Sequence, residues 1–562
     1  MNMSSKRRLT RWAAAVGAAV CLMLMPAAAA AEGSAVLSNA DLMPRWVPDD
    51  QVTVDEKGTP DWVKSLVMAQ FRVESVSETG DFAGAIRVLD HYQEMGVNGL
   101  WLNPVYERTE ENRNGFNNGY SAKEPDRIDR KIAGTADREA GFAAAKAFVD
   151  EAHSRNIRIF FDIVAWGVDK TSSLVEQHPT WFQRSGVFSE GWGGYLFNFS
   201  VEECREWFIN NAVEIALKTG IDGFRCDLEP SITGYTVWPE IRKRLAEQGR
   251  KIAVFSEMCS IRVPDCYDFD QVSVAWEVGG DTLFQSGYYY MKHNIVDSVK
   301  TGIGVGSADM QATDVGGKAQ YYTYNFCSHD SNGPVLKGSA MRAGYLGLYS
   351  PYIPMWFIGE EWNNPTNIAT NGVMYFNEIN WSAKEKPENA AYFEEFKHML
   401  RIRRQYPEIF EYFPENHRES NICKIEAEGN YLQAYARYRD NTAILIIPNN
   451  QGEDMTFTVR SKLEDMGLAG GEEYTVTDLD TDTVMAVGGP EAAEELSVFI
   501  RQDTVKAIRV EKKVQEPTAN EAPDDGGSET NGFPMTVLVI CLCVVLCAAA
   551  GTAVAVVAVR RR

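Results

Sequence analysis

Short apolar runs alternate along the chain with longer stretches in which apolar residues recur at helical spacing. The runs are predicted strands and, in chain order, they occupy residues 71–76, 98–105, 156–164, 221–229, 251–258, 321–330 and 351–362. Between the earlier runs, the spacing predicts helices over residues 81–96, 137–156 and 201–220. Nearly continuous apolar strands separated by amphipathic helices are typical of a parallel sheet with helices on its outside. The pattern therefore predicts an α/β domain over residues 67–411.

The pattern changes after residue 412. Runs such as MTFTV, EEYTVTD and TVKAIRV are short and have turn residues between them, which is typical of antiparallel β structure. Residues 412–513 are therefore predicted to form a C-terminal antiparallel β-sandwich. Residues 514–533 are rich in proline, glycine and acidic residues and are predicted to be a disordered linker. Residues 32–66 are a mixed lead-in to the α/β domain.

Both ends of the chain carry apolar segments with basic flanks. Residues 1–31 have a basic start, an apolar stretch and an alanine-rich stop, which predicts a secretory signal peptide cleaved after Ala31; an uncleaved anchor is the alternative. Residues 534–559 are predicted to form a transmembrane helix, because 535–559 contain no charge and no proline and about 20 apolar residues span a bilayer. The basic tail, residues 560–562, is expected in the cytoplasm. These segments predict a single-pass protein of the cell membrane with its bulk outside.

The composition of the chain argues against some classes of binding partner and metal site. The 562 residues carry a formal net charge of −23, which argues against nucleic acid or an anionic surface as the main partner. The seven histidines form no HExxH motif or other zinc spacing. Of the ten cysteines, those outside the terminal apolar segments are expected to be small buried thiols, with a Cys259–Cys266 disulfide as an alternative in an exported protein.

Three carboxylates stand near the ends of three predicted strands. Asp227 lies in IDGFRCDLE, Glu257 in KIAVFSEM and Asp330 in YYTYNFCSHD. In a parallel-strand barrel the C-terminal strand ends converge on one rim, which carries the active site, so these acids are expected to meet in space. Glycoside hydrolysis commonly uses two carboxylates, one ionised and one protonated. The acids therefore favour a closed barrel over an open sheet and point to a sugar-cleaving function.

The motifs around these acids resemble those of the α-amylase superfamily, glycoside hydrolase family 13. GFRCDLE is similar to the family's nucleophile segment, FSEM to its acid/base segment and FCSHD to its third-acid segment. NGLWLNPVYE, NIRIFFDIV and PYIPMWFIGEEW resemble its second, third and eighth barrel strands. The resemblance implies a (β/α)8 TIM barrel over residues 67–411, with a short insertion at residues 165–200 and a β domain after it.

The resemblance also implies roles for individual residues. Asp227 is the expected nucleophile, and Arg225, two residues earlier on the same face of the strand, is expected to keep it ionised. Glu257 is the expected general acid and later general base. Asp330 is expected to orient the sugar hydroxyls and to stabilise the cationic transition state, with His329 beside it.

Two aromatic residues complete the expected site. Tyr120, in NNGYS, resembles the family's platform at the cleavage subsite; the alternative is an ordinary core tyrosine. Trp166 and Gly167 stand where the family usually carries Asn-His, and Trp166 either stacks on a sugar ring or plugs the barrel rim. The family's asparagine is a calcium ligand, and Asn198 stands where a second calcium acid is expected. We therefore expect no metal of the family type and no cofactor.

These features predict a retaining glycoside hydrolase that cleaves α-glucosidic bonds in starch-like or related oligosaccharides. The expected partner is an oligo- or polysaccharide substrate. Two alternatives stay open. One is a glucanotransferase that uses the same residues and excludes water. The other is a non-catalytic glycan-binding surface protein on the same fold.

Overall fold

The structure is a computed structural model of the full chain. It describes residues 37–56, 58–110, 119–184, 194–227, 237–256, 269–270, 296, 321–329, 336–364, 378–411, 421–430 and 432–514. The described residues up to Lys513 belong to one compact unit.

A closed barrel of eight parallel strands forms the centre of the described structure. Its strands are β1 (Met68–Phe71), β2 (Gly99–Leu102), β3 (Arg158–Val164), β4 (Gly223–Asp227), β5 (Ala253–Ser256), β6 (Phe269–Asp270), β7 (Tyr321–Asn325) and β8 (Ile353–Phe357). They follow one another in chain order around the barrel, and β8 pairs with β1 to close it. This confirms the predicted α/β barrel.

The first strand was placed wrongly by the sequence pattern. The pattern predicts a strand over residues 71–76, whereas β1 is Met68–Phe71 and Val73–Ser75 form a 3₁₀ turn. The alternation in FRVESV is that of a half-exposed strand, but a barrel strand is covered on both faces. All four residues of β1 are buried, and the continuous run VMAQF is the pattern that marks it.

Five long helices are described: α1 (Phe82–Met95), α2 (Arg138–Ser154), α3 (Glu202–Thr219), α4 (Trp238–Glu247) and α5 (Pro387–Gln405). Asp81 and Asp137 cap the first two, since their carboxylates accept hydrogen bonds from the Gly84 and Ala140 amides at 2.8 Å. Gly96 ends α1 in the left-handed conformation. Shorter helices are Arg130–Ala133, Ser173–Gln177, Ala340–Arg342, Pro407–Phe410 and Glu491–Glu494.

Two small sheets stand on the loops that follow β2 and β3. After β2, Tyr106–Glu107 pairs with Glu124–Ile128. After β3, Gly194–Phe197 pairs with both Gly167–Asp169 and Phe182–Gln183 in a three-stranded sheet. The second sheet lies within the predicted insertion at residues 165–200, and we call it the insertion sheet.

Nine strands follow the barrel: β9 (Ile422–Lys424), β10 (Glu426–Ala427), β11 (Tyr435–Arg439), β12 (Thr442–Asn449), β13 (Met455–Arg460), β14 (Tyr474–Asp478), β15 (Thr483–Gly488), β16 (Glu495–Ile500) and β17 (Thr504–Lys512). They form a six-stranded sheet, in the order β9-β11-β12-β17-β14-β15, and a three-stranded sheet, in the order β10-β13-β16. Both sheets contribute to one apolar core, for example Leu445 from the larger and Phe457 from the smaller. C-terminal β-sheets therefore follow the barrel, as predicted.

Several predictions concern parts of the chain that the structure does not describe. The signal peptide at 1–31, the transmembrane helix at 534–559 and the tail at 560–562 lie outside the described residues, as does the linker except for Val514. Within the described ranges, no helix has the length and apolar character needed to cross a bilayer. The described cysteines, Cys204, Cys226, Cys327 and Cys423, are buried, while Cys259 and Cys266 are not described.

Candidate active site

Arg225 lies at the centre of a buried charge cluster in the barrel. Its Nη1 is 2.7 Å from Oδ1 of Asp227 and 3.1 Å from both carboxylate oxygens of Asp162. Arg225 and Asp162 are fully buried, and Asp227 is nearly so. Buried charges are tolerated when they are paired and hydrogen-bonded. The cluster holds two carboxylates on one guanidinium, a pairing that favours the ionised form of Asp227.

Strand geometry explains this arrangement. Arg225 and Asp227 are two residues apart on β4, so their side chains point to the same face. Asp162 lies on the neighbouring strand β3 and is aligned with Arg225 in the parallel register. Asp227 is the last residue of β4 and therefore stands at the C-terminal rim, where barrel enzymes carry their active sites.

Two further side chains donate hydrogen bonds to the Asp162 carboxylate. The indole Nε1 of Trp101 donates to Oδ2 at 3.0 Å, and the hydroxyl of Tyr120 donates to the same atom at 2.7 Å. The Arg225 guanidinium also lies over the Trp101 ring, at 4.8 Å from its centroid, where a cation–π attraction adds to the ion pairs. Asp162 thus joins three strands and the loop that carries Tyr120.

Tyr120 and His329 stack on each other. Their ring centroids are 4.9 Å apart and the planes differ by 9°. Gln70, on β1, orients the histidine from below, since its Nε2 is 2.7 Å from Nδ1 of His329 and its Oε1 accepts the His329 amide at 3.2 Å. With the Gln70 amide donating, Nδ1 accepts and the imidazole proton is on Nε2. Asn103 completes the chain of hydrogen bonds between Gln70 and Tyr120.

The structure therefore brings together four of the seven residues proposed from the sequence. Arg225, Asp227, Tyr120 and His329 form one connected network through Asp162 and Gln70. Glu257 and Asp330 lie outside the described residues. Ser256, the last residue of β5, is aligned with Cys226, the residue before Asp227.

Trp166 is described and fully buried. It packs in a small apolar cluster with Tyr120 and Val164, against which Leu196 of the insertion sheet also rests. Trp166 is thus packed inside the protein, and its contact with a sugar ring stays a prediction.

The sequence prediction missed four buried residues in or directly after the strands whose side chains form hydrogen bonds: Gln70, Trp101, Asn103 and Asp162. The sequence nevertheless contained an indication of two of these residues. Asp162 is the single charged residue between Ile159 and Val164, and Gln70 is the single polar residue in the run 66–71. An isolated polar group in a strand that is buried on both faces needs a buried partner.

The environment of the network is strongly desolvated. Burial raises the pKa of the Tyr106 phenol well above its usual value, and the nearby Asp162 and Cys226 raise it further. Within the described part of the chain, no three His, Cys, Asp or Glu side chains lie close enough together to hold a metal ion. Asn198 uses its side-chain oxygen to accept a hydrogen bond from Ser200 at 2.5 Å.

Comparison with known proteins gives the same family at the level of sequence. The family model "Alpha amylase, catalytic domain" matches residues 66–186. The chain is 23% identical over 222 residues to an oligo-1,6-glucosidase from Heyndrickxia coagulans, an alignment that covers 32% of this chain and 38% of that protein. The chain therefore spans well under two thirds of the length of this curated relative.

Solved structures show a similar fold over a larger part of the chain. A noncanonic maltogenic α-amylase, AmyB from Thermotoga neapolitana, matches with a TM-score of 0.55 and 18% identity, covering 80% of this chain and 97% of that one. The native form of a debranching enzyme from Nostoc punctiforme matches with a TM-score of 0.57 and 19% identity, covering 81% and 99%. At these identities the likeness concerns the fold. The sequence match identifies residues 66–186 as similar to the α-amylase catalytic domain, and the solved structures show that the described chain shares the fold of α-amylases and a debranching enzyme.

Proposed function

We propose that the protein is a retaining glycoside hydrolase that cleaves α-glucosidic bonds in starch-like or related oligosaccharides. The observation that carries the proposal is the Arg225–Asp227 ion pair at the C-terminal rim, anchored by Asp162. An ionised carboxylate held at the barrel rim beside an aromatic residue and a histidine is suited to attack a sugar ring. The α-glucosidic specificity is supported by the activities of the similar proteins, an oligo-1,6-glucosidase and a maltogenic α-amylase.

The proposed reaction has two displacements. Asp227 attacks the anomeric carbon while Glu257 donates its proton to the departing glycosidic oxygen, which leaves a covalent glycosyl–Asp227 ester and a Glu257 carboxylate. Glu257 then takes a proton from water, whose oxygen attacks the same carbon and releases Asp227. Asp330 and His329 are proposed to hold the sugar hydroxyls, and Tyr120 to form the platform beneath the reacting sugar.

Product analysis on maltooligosaccharides tests the proposal. The parent protein should release new reducing ends with retained anomeric configuration, read by proton NMR immediately after mixing. Glu257→Gln and Asp227→Asn should both abolish release, and Glu247→Gln, on the exposed end of α4, should not. Longer and shorter products without net reducing ends would instead establish a glucanotransferase. Glycan binding without turnover in the folded parent would establish a binding protein.

We further propose that no metal of the calcium type is needed. The departure at Trp166, Gly167 and Asn198 from the family's usual residues supports this. Dialysis against a chelator should leave both the initial rate and the melting temperature unchanged. A loss of activity that added Ca²⁺ restores would refute the proposal.

The site of action is proposed to be the outer face of the cell membrane. Residues 535–559, which carry no charge, support a single C-terminal span, and residues 1–31 support export. The full chain should fractionate with membranes and be cut by protease added to intact cells. A chain that ends at residue 513 should be released into the medium. Recovery of the full chain in the cytosolic fraction would contradict the proposal.

A further inference from the structure

Trp166 occupies a closed position between the barrel and the insertion sheet. It directly precedes the strand Gly167–Asp169, and its backbone carbonyl accepts a hydrogen bond from the Phe197 amide at 2.9 Å. Its side chain is completely buried in the cluster with Tyr120 and Val164. Trp166 is therefore part of the buried apolar packing behind the C-terminal rim of the barrel.

Two glycines make this close packing possible. A Cβ on Gly194 would lie 2.6 Å and 2.8 Å from atoms of the Trp166 ring. A Cβ on Gly167 would lie 2.0 Å from the Tyr195 carbonyl oxygen. Neither position has room for a side chain, because Gly167 faces the backbone of the strand Gly194–Phe197 and Gly194 faces the Trp166 ring. The tryptophan and the glycines therefore form one fitted unit, which we call the Trp166 lock.

The Trp166 lock is also joined to the loop that carries Tyr120. The Asp169 amide donates a hydrogen bond to the Ala122 carbonyl at 2.8 Å, two residues after Tyr120. Tyr120 in turn reaches Oδ2 of Asp162 at 2.7 Å and stacks on His329. Trp166 belongs to the same apolar cluster as Tyr120, so removal of its side chain would take away part of the packing that holds the Tyr120 ring in its place at Asp162.

We propose that Trp166 is a positioning residue. It acts by holding Tyr120 against Asp162 and His329, and it does not bind the sugar itself. The inference rests on the proposed function, since it makes Tyr120 placement a condition of catalysis. It also gives a physical reason for glycine at 167: the close approach of the strand Gly194–Phe197 leaves no room for a side chain there.

The test is a double-mutant cycle on maltotriose hydrolysis. Trp166→Ala and Gly194→Ala should each lower kcat on the order of 10²-fold, since misplacement of a positioned group by about 1 Å has an effect of that size. KM should change much less. In a Tyr120→Ala background the same two changes should have little further effect, because the ring that they position is already absent. Trp166→Phe should recover part of the activity.

Gly141→Ala is the matched control. Gly141 lies inside α2, and a Cβ there would meet its nearest neighbour at an ordinary 3.6 Å, so its kinetics should equal those of the parent. Losses by Trp166→Ala and Tyr120→Ala that multiply would show that Trp166 acts independently of Tyr120 and would overturn the proposal. A Trp166→Ala protein with a lower melting temperature but an unchanged kcat per folded molecule would overturn it as well.

A structural readout separates this proposal from the proposed function. In a crystal structure of Trp166→Ala, the Tyr120 hydroxyl should have left Oδ2 of Asp162, 2.7 Å away in the parent. Retention of that distance would overturn the positioning role whether or not the parent cleaves maltotriose. Absence of cleavage by the parent would refute the proposed function alone.

Discussion

At the scale of single residues, Asp162 organises the candidate site. Its two oxygens receive hydrogen bonds from Arg225, Trp101 and Tyr120, which come from three different parts of the chain. The nucleophile proposed from the sequence, Asp227, accepts a hydrogen bond from the same Nη1 of Arg225 that contacts Asp162. The geometry of Asp227 therefore depends on Asp162, although Asp162 need not touch the substrate.

Replacement of Asp162 by asparagine should expose this dependence. The amide would present N–H donors toward Arg225, so the guanidinium would lose one of its two carboxylates while it stays buried. Activity should fall by about 10- to 100-fold, the usual effect of removing an orienting group behind a reacting one. The free energy of unfolding should fall by about 3 kcal/mol, since a buried charge loses part of its pairing.

Kinetics on maltotriose and urea unfolding measure the two effects for Asp162→Asn. Asp150→Asn is the control, because Asp150 pairs with Lys146 on the exposed face of α2 and exposed pairs contribute little. Wild-type kinetics from Asp162→Asn would show that Asp227 keeps its place without this anchor.

At the scale of elements, the predicted runs cover six of the eight barrel strands and helices α1, α2 and α3; β1 was misplaced, and β6, α4 and α5 were not predicted. Helix α1 was predicted over 81–96 and spans Phe82–Met95, because its capping aspartate and terminal glycine are local signals. The contacts between elements carry no such local signal. Gln70 and His329 are 259 positions apart in the chain, so nothing in the sequence near either residue indicates that they meet.

Helix α5 is tied to the N-terminal end of the barrel by Arg404. Its guanidinium donates to the carbonyls of Gly96 and Ser65 and to Oδ1 of Asn98, at 2.7–2.9 Å. Burial lowers the pKa of Arg404 to about 10, and the side chain therefore still carries its charge at neutral pH. The three acceptors lie at the starts of β1 and β2. Two of these acceptors have a second donor. The Ser65 carbonyl also accepts a hydrogen bond from the Asn98 side-chain amide, and Oδ1 of Asn98 also accepts one from the Val67 amide.

Arg404→Leu should therefore destabilise the barrel. Three buried hydrogen bonds to a charged donor are lost, and a buried acceptor left without its donor costs about 1–3 kcal/mol. We expect a total loss of at least about 3 kcal/mol in the free energy of unfolding by urea. Arg401→Leu, three residues earlier on the same helix and partly exposed, should change it by less than about 1 kcal/mol. Equal losses of unfolding free energy in Arg404→Leu and Arg401→Leu would contradict the proposed stabilisation of the strand starts by Arg404.

Asp222, just before β4, joins three elements at the same end of the barrel. It accepts hydrogen bonds from the Ile159 amide, from Arg158 and from the ring of His153 at the end of α2, at 2.8–2.9 Å. Burial alone would raise its pKa, but His153, Arg158 and the Ile159 amide outweigh burial and hold the pKa of Asp222 well below its usual value.

The sign of the pH effect at Asp222 follows from this depression. The carboxylate contributes stability above its unfolded pKa, near 3.9, and that contribution is lost as the pH falls below about 4 toward the lower folded pKa. The slope from this one group is at most about 1.4 kcal/mol per pH unit. Asp222→Asn should flatten the acid side of a stability profile measured by urea unfolding between pH 6 and pH 2. Asp150→Asn should leave that slope unchanged, and an unchanged slope in Asp222→Asn would rule out the linkage.

At the scale of the whole molecule, the barrel and the six-stranded sheet share one core. Tyr435, Ile444, Ile446 and Val505 of the sheet belong to the same buried cluster as the barrel strands. The hydroxyl of Tyr435 donates to the Tyr345 carbonyl at 2.8 Å, and Tyr345 donates to the Gln433 carbonyl at 2.6 Å. The sequence indicated two domains from the change in pattern at residue 412, but it held no signal for the extent of their contact.

This shared core predicts that the barrel does not fold alone. A chain that ends at residue 411 would expose the side chains beneath the sheet and lose several buried aliphatic contacts at about 1.5–3 kcal/mol each. Four such contacts are comparable with the 5–15 kcal/mol that stabilises a typical protein. The shortened chain should lack near-ultraviolet circular dichroism and a cooperative melting transition. A chain that ends at residue 513 should show one transition, coincident by circular dichroism and tryptophan fluorescence. A sharp melting transition in the chain that ends at residue 411 would mean that the barrel is already stable by itself. Two separate transitions in the chain that ends at residue 513 would mean that the shared core does not couple the barrel to the sheets.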